Sequence, residues 1–221
     1  EMTSSLVGSE MCIRDSPNRV DISEPAEGYT DSDIGYYLEL DNYATSDEDN
    51  HYISMDYENA TVTDINGETR QFVPAEYSIK NDLYSQNQID FIDKYLNNLF
   101  KIVYEACENG KYYKFDENYD LVDSDVTTAE EAVSNVIDID SVRDMYILYE
   151  IVHDYDCGEG SFYMCVDFSK DSKCPKLKFT SPWDFNWAYN DSTEKYYAGA
   201  FTDKNFVAKK DDRSNPWFII L

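Results

Sequence analysis

The chain has 221 residues, enough for one domain with a sizeable core. It carries 45 Asp and Glu against 18 Lys and Arg, which gives a formal net charge of −27 at neutral pH. This charge disfavours nucleic acids and anionic membrane surfaces as partners, because both would be repelled. A basic protein or a metal cation fits the composition better.

Several other classes are disfavoured by the sequence. No apolar run approaches the roughly 20 residues of a membrane-spanning helix, so no membrane span is expected. The first residues lack the basic start and apolar stretch of a signal peptide. The five cysteines form no Cys-x-x-Cys pair, which argues against a zinc site. Cys157, Cys165 and Cys174 lie close in sequence, and a disulfide among them or free thiols are both open.

The first residues of the chain resemble the translation of a sequencing adapter. The resemblance covers residues 5–16 as one continuous word, SLVGSEMCIRDS. We therefore expect residues 1–16 to be an artefact that carries no fold information. Residues 17–221 are then expected to be a fragment whose upstream part is missing and whose last helix is cut short.

Short strands are predicted in the first part of this domain. Residues 34–41 alternate apolar and polar side chains, the period of a half-buried strand. Residues 52–57 and 60–65 are predicted to form a hairpin, and Asn66-Gly67 is a strong turn signal. Residues 70–79 are expected to be extended, with an interruption at Pro74.

Three helices are predicted next. Ser85 and Gln88 have the spacing of a capping box, apolar residues from Ile89 to Val103 recur at helical intervals, and Gly110 stands where the helix should end. A second helix is expected over residues 128–136, capped by Thr127 or Thr128, and a third from Asp140 to a point before Gly158.

A β-hairpin and an aromatic-rich turn follow the third helix. Residues 161–168 and 176–180 are predicted to be paired strands, and Ser181-Pro182-Trp183-Asp184-Phe185-Asn186 follows them directly. Large rings on both sides of Asp184 are expected to pin the backbone and aim its carboxylate into a site. The alternative is a buried aromatic turn in which Asp184 only caps a neighbouring backbone.

Two loop aspartates flank this hairpin. Asp156 lies at the end of the third helix and Asp184 at the exit of the second strand, so the hairpin can bring them together. Protein kinases use one such Asp to orient the attacking hydroxyl and accept its proton, and a second to bind Mg²⁺. Phosphoryl transfer depends mainly on placement and charge neutralisation, so two carboxylates and a metal are the minimum requirement.

These segments, in this order, resemble the CotH family of spore-coat protein kinases, which have an atypical kinase-like fold. The resemblance rests on six pieces: Asn18–Ile22, Gly35–Asp41, Ile137–Asp144, Ser161–Met164, Pro182–Asn186 and Asn215–Phe218. It implies an α+β fold in which residues 17–84 follow the hinge and residues 85–221 form the helical catalytic lobe.

The resemblance also implies an activity and site roles. The chain would belong to an enzyme that uses ATP and Mg²⁺ to phosphorylate Ser or Thr of a basic protein, in a spore coat or at the outside of a bacterial cell. Asp156 would be the catalytic residue, with Asp154 as the alternative if the register shifts by two. Asp184 would bind the metal, with Asn186 and Ser161 as further metal ligands. ATP-binding residues would lie in the missing N-terminal lobe, so this fragment itself is expected to be weak or inactive.

The sequence leaves two other interpretations open. Many relatives have Asp where this chain has Asn186, and an amide adds no charge. Together with the Cys157–Cys165 link, where that open alternative holds, this favours a catalytically inactive CotH-like binding module of a secreted or surface protein. The runs at Asp116–Asp120 and Asp154–Gly158 begin like calcium loops. Both lack the Gly and the Glu that such loops need at their sixth and twelfth positions.

Overall fold

The computed structural model describes residues 27–46, 51–55, 60–63, 69–71, 75–152, 154–158, 160–170, 172–188 and 215–221. The adapter-like residues 5–16, the lead segment Asn18–Ile22, the Asn66-Gly67 turn and His153 lie outside the described residues. What is described is a mixed α+β structure with antiparallel sheets, which agrees with the α+β class expected from the sequence.

The described elements come in the following order along the chain. The strands are β1 (Gly35–Leu40), β2 (Tyr52–Met55), β3 (Thr61–Thr63), β4 (Thr69–Gln71), β5 (Ala75–Ile79), β6 (Tyr113–Phe115), β7 (Leu121–Asp123), β8 (Phe162–Asp167) and β9 (Lys178–Thr180). The helices are α1 (Gln86–Asn109), α2 (Ala129–Ser134), α3 (Ile139–Val152) and α4 (Pro216–Ile220).

A five-stranded antiparallel sheet forms the centre of the fold. Its strand order is β2-β5-β1-β8-β9. Strand β1 is the middle strand, and the predicted alternation is confirmed there, since Tyr36, Leu38 and Leu40 are fully buried while the residues between them are half-buried. One face of the sheet therefore packs into the core, and the other carries polar side chains such as Glu39.

Helix α1 begins and ends where the sequence predicts. The Ser85 side chain accepts a hydrogen bond from the Gln88 backbone N–H, and the Gln88 side chain accepts one from the Ser85 N–H, so the capping box is complete. Gly110 ends the helix in the left-handed conformation, with φ of 60°. The predicted apolar face is buried, including Ile92, Leu96 and Leu99.

One predicted strand pairing is wrong. Strand β2 pairs with β5 rather than with the next strand in sequence, and β3 pairs with β4. The hairpin expected between residues 52–57 and 60–65 is therefore not formed. The expected hairpin joins segments that are neighbours in sequence, whereas β2 joins the central sheet, where Ile53 and Met55 reach the core.

The helical part and the second hairpin follow the predictions closely. Thr128 caps α2, because its hydroxyl accepts a hydrogen bond from the Glu131 N–H. Helix α3 begins at Ile139, one residue before the predicted start. Strands β8 and β9 form the predicted antiparallel hairpin, although β9 is shorter than expected because Leu177 instead makes a parallel bridge to Ile137.

The aromatic residues mostly build the core. Phe162, Phe179 and Trp217 are fully buried, and the Phe179 and Trp217 rings meet edge to face at 5.9 Å between centroids. Through these contacts α4 packs against the core side of the β8–β9 hairpin. No helix among the described residues is both long and apolar enough to cross a bilayer.

Candidate functional site

The loop after α3 is organised by a buried aspartate. The Asp154 side chain is only 1% exposed, and its Oδ1 accepts a hydrogen bond of 3.1 Å from the Asp156 N–H. This contact starts the 3₁₀ turn Tyr155–Gly158. The proposed catalytic residue, Asp156, is half-buried on that turn. Asp154, which the sequence offers as the alternative to Asp156, therefore fixes the backbone that carries Asp156.

Asp184 is presented by a strained backbone at the exit of β9. Its φ of 56° and ψ of 59° lie in the left-handed region, which Asp tolerates better than most residues. It begins the 3₁₀ turn Phe185–Trp187, and its side chain is exposed and caps no backbone N–H of that turn. The capping alternative raised by the sequence is therefore not seen in this turn.

The rings around Asp184 differ in what they contact. Phe185 packs against Tyr149 of α3, with 5.7 Å between ring centroids, and this contact joins the turn to the helix that carries the Asp154 loop. Trp183 is 50% exposed. The expectation that rings on both sides pin the backbone is therefore correct for Phe185 and wrong for Trp183.

Electrostatics link the two loops. Burial raises the pKa of Asp154 from 3.8 to about 6. The hydrogen bond that Asp154 accepts from the Asp156 N–H lowers the pKa of Asp154 and so works against this rise. The negative charges of Asp156 and Asp184 add to the rise. Carboxylates on both sides of the β8–β9 hairpin, Asp156 before it and Asp184 after it, thus act electrostatically on Asp154. Among the residues that the structure describes, no group of three or more His, Cys, Asp or Glu side chains is placed to hold a metal ion.

The remaining sequence-predicted metal ligands occupy different positions. Asn186 is exposed on the turn that Asp184 begins. Ser161 lies just before β8 with φ of 55°, and its backbone N–H donates a hydrogen bond of 3.2 Å to Glu39 Oε1. The backbone N–H of Ser161 therefore faces β1.

Glu39 belongs to a polar network that sequence reasoning missed. Its Oε2 lies 2.6 Å from Lys80 Nζ, and Lys80 also lies 3.8 Å from Asp41 Oδ2. The Tyr163 hydroxyl is hydrogen-bonded to Glu39, and burial together with this carboxylate raises the Tyr163 pKa. The signal for this network in the sequence was the charged Glu39 between Leu38 and Leu40 of β1. The network brings a lysine to the sheet face next to Ser161.

Asn215 ties the last helix to the Asp156 loop. Its Oδ1 accepts hydrogen bonds from the N–H groups of Trp217 and Phe218, which caps α4, and its Nδ2 donates to the Cys157 carbonyl at 2.7 Å. Asn215 is fully buried. The segment that the sequence marks only as part of a resemblance therefore supports the candidate loop directly.

The Cys157–Cys165 link expected for an inactive binding module is wrong. Cys157, Cys165 and Cys174 are all buried and form no disulfide, and Cys165 faces Cys174 instead. One calcium-like run also has a structural explanation, because Asp116 Oδ1 accepts hydrogen bonds from the N–H groups of Asn118 and Asp120. That carboxylate oxygen stabilises the turn between β6 and β7.

Comparisons with models of protein families, with curated proteins and with solved structures returned no match.

Proposed function

We propose that the chain is part of an ATP- and Mg²⁺-dependent protein kinase of the CotH type, with an atypical kinase-like fold. The observation that carries the proposal is the arrangement around the β8–β9 hairpin. Asp156 lies on the loop before the hairpin, Asp184 lies on the turn after it, and both act electrostatically on the buried Asp154 between them. This is the order in which kinases place their catalytic and metal-binding aspartates.

The aspartates have separate roles in this proposal. Asp156 orients the substrate hydroxyl and accepts its proton, and Asp154 is a positioning residue that holds the Asp156 backbone. Asp184 provides carboxylate oxygens for Mg²⁺, which prefers oxygen ligands, and its exposure leaves it open to a phosphate-bound ion. Asn186 is the supporting ligand on the same turn. When bound, the ion would neutralise charge on the transferring phosphoryl group.

The polar network on β1 supplies a basic residue for the nucleotide. Kinases hold a lysine beside the phosphates by pairing it with a glutamate. Lys80 is paired with Glu39, here from the neighbouring strand rather than from a helix, and Glu39 also accepts a hydrogen bond from the Ser161 N–H. We propose Lys80 as a phosphate contact and Ser161 as a residue of the metal site. An upstream lobe would complete the nucleotide pocket.

The charge of the chain favours a basic substrate. A net charge of −27 attracts Lys- and Arg-rich proteins and speeds their encounter with the site. A Ser/Thr-rich coat or exported bacterial protein with this character is the substrate class we propose.

The test is phosphate transfer by the protein together with any upstream segment that its gene encodes. Labelled ATP, Mg²⁺ and a basic Ser-rich protein are supplied to the wild type and to Asp184→Asn and Asp156→Asn. Each variant should lose on the order of 100-fold or more in transfer rate. Asn keeps the left-handed backbone at position 184, so folding should be little changed. Transfer that survives both changes would contradict the roles assigned to Asp156 and Asp184.

A second candidate is a catalytically inactive binding module of the same type. Asn186 favours it, because an exposed amide adds no negative charge beside Asp184. Calorimetry with ATP and Mg²⁺ separates the two candidates. Nucleotide binding that Asp184→Asn weakens supports the kinase, and binding of a partner protein without nucleotide binding supports the module.

A further inference from the structure

Two buried thiols face one another at the base of the β8–β9 hairpin. Cys165 Sγ in β8 lies 3.8 Å from Cys174 Sγ, which belongs to the connection between the strands. Cys165 is 1% exposed and Cys174 is 7% exposed, and Tyr37 packs against both. Both cysteines are in the thiol form.

The backbone holds this pair in place. The Asp167 N–H donates to the Cys174 carbonyl at 2.9 Å, and the Cys174 N–H donates to Ser172 Oγ at 3.0 Å. The first contact ties the Cys174 carbonyl to the end of β8, and the second fixes the turn within the connection. A bond between the two sulfurs needs a further approach of about 2 Å, within the reach of side-chain rotation.

A cleft reaches one of the two cysteines. Cys174 lines an open cleft of about 380 Å³ between the hairpin and the start of α3. The charged side chains that line the same cleft are Lys173, Lys176, Lys178, Asp138 and Asp140. Thiol–disulfide exchange needs an opening to only one sulfur of a pair, because the second thiolate attacks the mixed disulfide from inside the protein.

We propose that Cys165 and Cys174 form a redox-active dithiol that low-molecular-weight disulfides oxidise to an intramolecular disulfide. The Cys174 thiolate attacks one sulfur of the oxidant, forming a mixed disulfide and releasing one thiolate. The Cys165 thiolate then attacks Cys174 Sγ and releases the second. The protons of the two protein thiols pass to the two released thiolates, so one disulfide is reduced for each protein disulfide formed.

The disulfide would close the hairpin connection covalently. Asp184 lies at the exit of β9, so oxidation would hold the strand that leads to it against β8. Formation of this disulfide does not depend on the proposed kinase activity.

Peptide mapping of the whole chain tests the inference. The protein is incubated with oxidised glutathione or with a thiol reductant, unfolded in a denaturant that contains N-ethylmaleimide to block free thiols, and digested with trypsin and a glutamate-specific protease. Lys170 and Lys173 lie between Cys165 and Cys174, and Glu159 lies between Cys157 and Cys165, so the double digestion places all three cysteines on separate peptides. We expect these two peptides to be joined after oxidation and to be separate and alkylated after reduction.

Matched variants sharpen the result. Cys107→Ser removes an exposed thiol and should leave the joined peptides unchanged. Cys174→Ser should abolish the joined species and leave Cys165 alkylated. The mapping of wild type and Cys107→Ser decides the question even if Cys174→Ser does not fold. Separate alkylated peptides after oxidation, or Cys165 joined to Cys107 or Cys157, would overturn the proposal.

Discussion

Asn215 offers the sharpest test of how the candidate loop is held. In Asn215→Ala, helix α4 loses its N-cap and the Cys157 carbonyl loses a buried donor at 2.7 Å. Loss of an N-cap costs about 1 kcal/mol. Loss of the partner of a buried carbonyl costs about 1–3 kcal/mol. The free energy of unfolding should therefore fall by about 2–4 kcal/mol.

Urea unfolding followed by tryptophan fluorescence measures this change. With a slope of about 3 kcal/mol per M of urea, the midpoint should fall by about 1 M. Asn215→Ser is the matched control, because Ser can still cap α4 but cannot reach the Cys157 carbonyl. It should lie between the wild type and the alanine variant. A loss below about 0.5 kcal/mol in Asn215→Ala, the size of an ordinary surface substitution, would refute this role of the Asn215 side chain.

Two further predictions concern pH and backbone strain. The raised pKa of Asp154, about 6 in the folded chain against 3.8 ordinarily, means that the folded state binds its proton more tightly than the unfolded state does. Relative to Asp154→Asn, the wild type should therefore lose up to about 3 kcal/mol of stability as pH rises from about 4 to about 6, and little beyond. Parallel urea curves of both proteins across that range check this, and equal pH dependence would contradict it. Gly110→Ala should cost about 1 kcal/mol, because φ is 60° and the added Cβ meets no atom within 4 Å. Thermal unfolding measures this cost, and an unchanged or higher midpoint would show that the left-handed C-cap is not retained.

Local signals in the sequence were sufficient where one segment decides the outcome. The capping box at Ser85 and Gln88, the stop at Gly110 and the alternation in β1 depend on neighbouring residues, and all were confirmed. The β8–β9 hairpin belongs to the same class, since its strands are close in sequence.

Contacts between residues that are distant in sequence could not be predicted. The sequence could not place β2 beside β5, because that pairing buries Ile53 and Met55 in a core that segments distant in sequence build. It could not show that Lys80 pairs with Glu39, that Asn215 binds the Asp156 loop or that Cys165 faces Cys174.

The sequence by itself determined the class of the fold, the ends of its long helix and the order in which Asp156 and Asp184 appear along the chain. Only the tertiary structure decided which carboxylate is buried. Asp154 and Asp156 are two residues apart with the same chemistry, yet packing leaves Asp154 1% exposed and Asp156 half-buried. A side chain's desolvation is set by every element that packs around it, and that information is distributed over the whole chain.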